Sequence, residues 1–304
     1  MADAPKETAD SAPVRWNTIE IVTNDFESVE RLRKATGIPL GGLLPKDDPR
    51  VGQACDAVRR AAPRKEVSCR ELFGSPQNGY AEAEFIVEIS DDRRVPQTPI
   101  HCSAGHLSSD LIALRDEWGQ ARSTTPGWGS TEHVNALQYL DYDAPRLHEL
   151  AARTHFVVSP RARELEKISS SCTADSRADA LGFLNFTGAA SSAIRVAAAH
   201  MGDPDPNVRN AAARLIGVFN GYISKREVAG IVRSACALTY GGFVDRNKSL
   251  ILLDRMRLRG LVRFRDLDLL CQGQIRAIAR TSNSIQTGRA AQDLVESVDA
   301  KVRK

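Results

Sequence analysis

The 304-residue chain has no run of eighteen apolar residues, so no segment is long and oily enough to cross a bilayer as a helix. Its six cysteines, Cys55, Cys69, Cys102, Cys172, Cys236 and Cys271, form no CxxC pair, which argues against a zinc module and against a disulfide-dense scaffold. Most are expected to be buried thiols; the even count keeps disulfides as the alternative, with Cys69 and Cys102 the first pair to test. Aromatics are only 6% of residues, and Ala and Leu carry much of the 42% hydrophobic content, a balance that suits close-packed helices better than large sheets. Catalytic signatures are missing as well. There is no nucleophile elbow, no H-E-x-x-H and no G-x-G-x-x-G between strand and helix, and the Gly41-Gly42 pair lacks the lysine and hydroxyl of a phosphate loop. The chain is therefore expected not to be an enzyme and to hold no cofactor and no metal.

The first residues, Met1 to Pro13, carry no apolar stretch that would serve as a secretory leader. They read as a tail ending at residue 14 and as a cytoplasmic start, with a mature secreted or periplasmic chain as the alternative. Net charge is +3 but uneven: from Arg255 onward eleven basic residues face five acidic ones, so the C-terminal end is the basic end.

The patterning predicts a mostly α protein, with a small α+β domain over 15–122, a linker over 123–130 and an irregular α-helical domain over 131–304. In the first domain, WNTIEIV at Trp16 to Val22 alternates as a strand does, and Asn24 or Asp25 can cap a helix reaching Ala35. Asp47-Asp48-Pro49 starts a second helix, with Val51, Cys55, Val58 and Ala62 on one stripe. Val67 to Phe73 and Ala83 to Ile89 read as a hairpin turning at Asn78-Gly79, with Glu84 and Glu88 on its wet face. Ser108 or Ser109 then caps a helix through Leu111, Leu114 and Trp118, and STTPGWGS at 123–130 is the linker, its Trp128 either a packing anchor or an exposed contact.

Beyond Thr131 four stretches superpose: His133 to Asp141, Arg177 to Asn185, Arg209 to Gly217 and Arg246 to Asp254. Each opens on a basic residue, with Ala or Ser three positions on, Ala or an aliphatic residue at the fourth and an aliphatic residue at the seventh. Second helices are expected between them at Asp143 to Arg153, Ala190 to His200 and Ser224 to Tyr240. The best formed unit is DPDPNVRNAAARLIG, Asp203 to Gly217. Its prolines stop one helix and start the next, and Val208, Ala212, Leu215 and Ile216 share a face. This unit resembles a repeat of the HEAT or armadillo-like class, in which an acidic, proline-containing turn precedes a helix reading Val-Arg, Ala-Ala, Leu-Gly. The resemblance implies an α-solenoid scaffold of stacked helical pairs that binds a protein or, less often, nucleic acid. It carries over no catalytic residue.

Two stretches suggest chemistry. RMRLRGLVRFR, Arg255 to Arg265, would place five guanidiniums on one face if extended; the favoured reading is a helix stopping at Gly260, with Arg255 and Arg259 one turn apart at its negative end. Asp266 then caps a last packed helix through Leu267, Leu270, Cys271, Ile275 and Ile278, and Ala291, Leu294, Val295 and Val298 mark a tail helix that caps the stack or reaches a partner. The candidate binding surface is Arg209, Arg214, Arg255, Arg257, Arg259, Arg263, Phe264, Arg265, Arg276 and Arg280. The leading expectation is a non-catalytic scaffold docking a protein partner. The alternative is an RNA-binding, packaging-like protein using those arginines around Phe264. A third is a thiol or metal enzyme at Cys102, flanked by His101 and His106. Self-association into a homo-oligomer is compatible with any of the three.

Overall fold

The structure, a computed structural model, describes residues 13–45, 47–73, 81–89, 95, 97, 102, 104–125 and 127–302. The first twelve residues of the expected tail, the Asn78-Gly79 turn and His101 lie outside the described residues, whereas Val14, expected as the end of the tail, is buried and opens the first strand. The chain divides into two compact units, one formed by Met1–Arg94 with Gly273–Lys304 and the other by Val95–Gln272. The division falls elsewhere than the expected linker: 123–130 lies inside the second unit, and the last helices belong to the first.

In the first unit β1 (Val14–Val22), β2 (Leu43–Leu44), β3 (Val67–Phe73) and β4 (Ala81–Ile89) form a sheet of order β2-β1-β4-β3. The pair β1 and β4 is parallel and the other two pairs are antiparallel. Alternation gives the sheet two distinct faces. Ile19, Ile21, Phe85 and Val87 join Val29 and Leu32 of α1 (Val29–Ala35) and Val51, Ala54 and Val58 of α2 (Pro49–Ala61) in one core. Asp48 caps α2 as expected, accepting from the N–H of Arg50, with Pro49 in the first turn.

The opposite face was expected to be wet, and it is not. Glu20 is 1% exposed, and its carboxylate accepts from the backbone N–H groups of Asn283 (2.8 Å) and Ser284 (3.1 Å); Glu84 accepts from the N–H of Ile285 and the hydroxyl of Ser284. Glu88 pairs with Arg70. Arg33 reaches the carbonyls of Ile19 and Thr281, and Gln274 bonds Asn24. The segment so held carries α12 (Gln274–Thr281) and α13 (Thr287–Val302). The single last helix expected from Asp266 is thus two: α11 (Phe264–Leu270) stops at Gln272 and Gly273, whose φ values of 52° and 74° break helical geometry. The tail helix α13 packs with α12 in the first unit.

The second unit is helical apart from a short hairpin of β5 (Glu132–Val134) and β6 (Leu140–Tyr142). It contains α3 (Ser109–Ser123), α4 (Pro145–Val158), α5 (Ala162–Ile168), α6 (Ala174–Leu184), α7 (Ala190–His200), α8 (Pro206–Val218), α9 (Lys225–Leu238), α10 (Phe243–Leu258) and α11. Helices α6, α8 and α10 pack side by side, with α7 against α8 and α9 against α10. Three of the four superposed stretches fall in register: Arg177, Arg209 and Arg246 are each the fourth residue of α6, α8 and α10. The small residues three positions on, Ala180, Ala212 and Ser249, are each fully buried, as the close approach of neighbouring helices requires. The fourth stretch fails, because His133 lies in β5 and Leu137 is 63% exposed.

Candidate functional site

The ten residues expected to form one binding surface do different things. Arg209 is 8% exposed and internal: Nε and Nη2 grip both carboxylate oxygens of Asp245 (2.9 and 2.6 Å), while Nη1 donates to the carbonyls of Asp203 and Pro204 just before its own helix. Arg177 repeats this geometry one helix pair earlier. It holds Asp203 at 2.9 and 2.8 Å and donates to the carbonyls of Ser171 and Cys172. Each arginine therefore joins its own turn to the carboxylate of the next pair, in the bidentate form that suits a planar fork. Space for the second rung comes from Gly241, where a Cβ would lie 2.5 Å from Asp245 Oδ2.

The helical reading of Arg255 and Arg259 holds, with α10 ending at Leu258 and Gly260 at φ 71°. Arg255 serves a neighbouring helix, donating to the Gly217 carbonyl (2.7 Å) at the negative end of α8. Arg257 pairs with Asp254 and Arg263 with Asp266, both within their own helix region. Arg259 and Arg265 are exposed; the Phe264 side chain lies outside the described residues. Arg276 and Arg280 sit on α12 in the first unit, so the ten do not form one surface within either unit.

Only Arg214 joins a site, and its companions come from elsewhere. A cavity of about 490 Å³ is lined by Arg115, Trp118 and Arg122 of α3, Trp128 of the following turn, Asp179 and Phe183 of α6, Asn185 and Phe186 just beyond it, Asn210 and Arg214 of α8, and Lys248 of α10. Arg122 lies 4.9 Å from the Trp118 ring and 4.8 Å from that of Trp128, and Arg214 lies 5.6 Å from Trp128. These cation–π contacts fix both guanidiniums. Trp118 also stacks on Phe186 and donates its ring N–H to Thr154. Arg214 is paired with Glu132, and Arg115 with Asp116 and Asp179.

Charge is concentrated here under partial burial. Desolvation, followed by the like charge of Arg214, lowers the Lys248 pKa, although Glu132 acts the other way. Desolvation raises the Asp179 carboxyl even against Arg115. The wall thus carries four cations and one carboxylate. It also carries acceptors without donors: Asn185 Oδ1 and Asn210 Oδ1 are buried and have no hydrogen-bond partner among the described residues. The chemistry of such a wall is complementary to an anion that brings its own N–H or O–H groups.

Sequence reasoning missed most of these residues because they come from four helices far apart in the chain; Trp128 was singled out, as a packing anchor or an exposed contact. The cysteine expectations also change. Cys55 is bonded to Cys69, Cys102 to Cys172 and Cys236 to Cys271, so neither buried thiols nor a Cys69–Cys102 pair is found. Bonding to Cys172 removes the thiolate that a nucleophile or zinc ligand at Cys102 needs. Among the described residues no cluster of three or more His, Cys, Asp or Glu is placed to hold a metal ion, and no helix is long and apolar enough to cross a membrane. Comparison with protein-family models, curated proteins and solved structures finds no match.

Proposed function

We propose that this chain is a non-catalytic interaction protein whose second unit is a helical-repeat scaffold of the HEAT or armadillo-like kind, docking an acidic segment of a protein partner in the cavity between α3, α6, α8 and α10. The observation that carries the reading is the wall of that cavity, where four cations stand against one carboxylate. The recurring arginine and aspartate rungs support the repeat character of the scaffold. Nucleic acid is less well served: a single strand stacks its bases on open rings, whereas Trp128 here is already faced by two guanidiniums and Trp118 by Phe186 and Arg122. The three disulfides support an oxidising compartment over the cytoplasm.

Fluorescence anisotropy of a labelled polyglutamate peptide across a salt series tests this. Binding at low salt is expected, weakening as salt rises and falling about tenfold or more in Lys248→Glu, whose folding is checked by thermal melting. No binding at low salt, or binding indifferent to the charge reversal, removes the reading. A single-stranded oligonucleotide that binds more tightly than the peptide transfers it to nucleic acid.

A further inference from the structure

Building on the acidic-ligand reading above, we propose that this cavity is a site for a phosphate monoester whose body carries N–H or O–H donors. Charge around the cavity is unevenly paired. Arg115 is held by Asp116 and Asp179, and Arg214 by Glu132. Arg122 bonds the Tyr142 hydroxyl, and neither it nor Lys248 makes an ion pair with a carboxylate among the described residues, although the charge of Glu132 is felt at Lys248. Those partners set four cations against three carboxylates, a net of one positive charge, but the two cations without an ion pair, Arg122 and Lys248, stand on one wall where a single group can bridge them. A carboxylate or a phosphodiester offers two charged oxygens for that, while a phosphate monoester offers three strong acceptor oxygens and about −1.5 to −2 of charge at neutral pH.

Hydrogen-bond polarity points the same way. Buried Arg122 Nε has no partner among the described residues, and guanidiniums fixed on indole rings present their N–H fork without further ordering. Against these donors stand two acceptors. Asn185 is 2% exposed and spends its amide N–H₂ on the carbonyls of Leu181 (3.2 Å) and Gly182 (3.0 Å), which fixes the orientation of the amide. Its Oδ1 is left without a donor, as is Asn210 Oδ1. Inorganic phosphate would satisfy the cations but has only its own P–OH hydrogens to share between these oxygens. An ester whose body offers amide or hydroxyl hydrogens satisfies both, and a cavity of about 490 Å³ has room for it.

A phosphorylated side chain of a protein partner and a free small ester share this chemistry, and calorimetric titration of the full chain separates them. The probes are a phosphoserine peptide, the same peptide with glutamate in place of phosphoserine, glycerol 3-phosphate and a single-stranded oligonucleotide. The expected result is that the phosphoserine peptide or glycerol 3-phosphate binds about tenfold or more tightly than the glutamate peptide, the tighter of the two identifying the source. Lys248→Met and Arg122→Gln should each lose about tenfold or more, and Arg263→Ala, an exposed cation outside the cavity, should lose nothing. Equal binding of the glutamate peptide overturns the phosphate inference and leaves the acidic groove standing. Tighter binding of the oligonucleotide overturns it as well. Failure of every probe removes both, and so does binding that survives both variants.

Discussion

The two units bury charge with different emphasis. In the first, backbone groups serve the buried ions of the sheet: Asn283 and Ser284 donate their N–H groups to Glu20, and Arg33 reaches the carbonyls of Ile19 and Thr281 while its other contact is the exposed Glu30. In the second, Arg177 and Arg209 are neutralised by Asp203 and Asp245, one helix pair further on. Backbone neutralisation ties one segment to one place and cannot be repeated. An ion pair formed between successive helical pairs can be copied with each pair added, which is what a repeating stack requires. The difference also sets what a single substitution leaves behind. Removing an ion from a backbone cradle frees dipoles that water can reach by local opening, whereas removing one ion of a buried pair strands a charge.

The sharpest way to break the comparison is Arg209→Leu. Asp245, 2% exposed, would stay buried without its partner, and a loss of about 3–5 kcal/mol is expected in urea unfolding. The double variant Arg209→Leu/Asp245→Leu should recover much of that, because no lone charge remains. A single-variant loss below about 1 kcal/mol would mean that water reaches Asp245 and that the rung contributes little.

A smaller and more local effect is expected of Glu20→Gln. The carbonyl of Gln still accepts from Asn283 and Ser284, so these bonds lose their charge assistance, about 1–2 kcal/mol. Native-state hydrogen exchange should show the Asn283 and Ser284 amides losing protection while those of α8 keep theirs. Equal loss in both places would show the two units to unfold as one, and the contrast between them would have no energetic meaning.

Which parts of this were legible follows from what each signal depends on. Helix α8 was readable because Asp205, Pro206 and the apolar stripe are local: Asp205 accepts from the N–H groups of Asn207 and Val208 as the letters suggest. The register of Arg177, Arg209 and Arg246 was readable too, since superposition needs only spacing. The role of those arginines was not. A buried arginine and a solvated one look alike in a sequence, and the partners of the two rungs lie 26 and 36 residues downstream. Glu84 misled for the same reason, because its outward side of β4 is wet only until a segment 200 residues later lies across it. The cavity was least legible, since Arg122, Asn185, Arg214 and Lys248 acquire a common purpose only when four helices bring them to one wall.

The smallest effect expected is a difference in how the two units answer acid. In the second unit burial lowers the His200 pKa below its ordinary 6.5, a shift that Asp203 only partly offsets. The unfolded chain therefore takes up a proton on His200 before the folded one does, and stability falls as pH drops from 6.5 through the folded value. Asp203 adds a later loss. Burial alone would raise its carboxyl, but Arg177 and the N–H of Asp205 hold it below 3.8, so its contribution is complete above 3.8 and is lost as pH falls through the folded value. In the first unit Asp48 is held at about 2, chiefly by the hydrogen bond from the Arg50 side chain, so its contribution is intact at pH 5 and fades only between 3.8 and about 2. Urea midpoints followed by hydrogen exchange between pH 7 and 5 should accordingly fall for α6 to α8 and stay level for α2, with His200→Gln flattening the first. A first unit that loses stability in that range while α6 to α8 do not would reverse the assignment, and would place the acid-sensitive group in the sheet instead of the ladder.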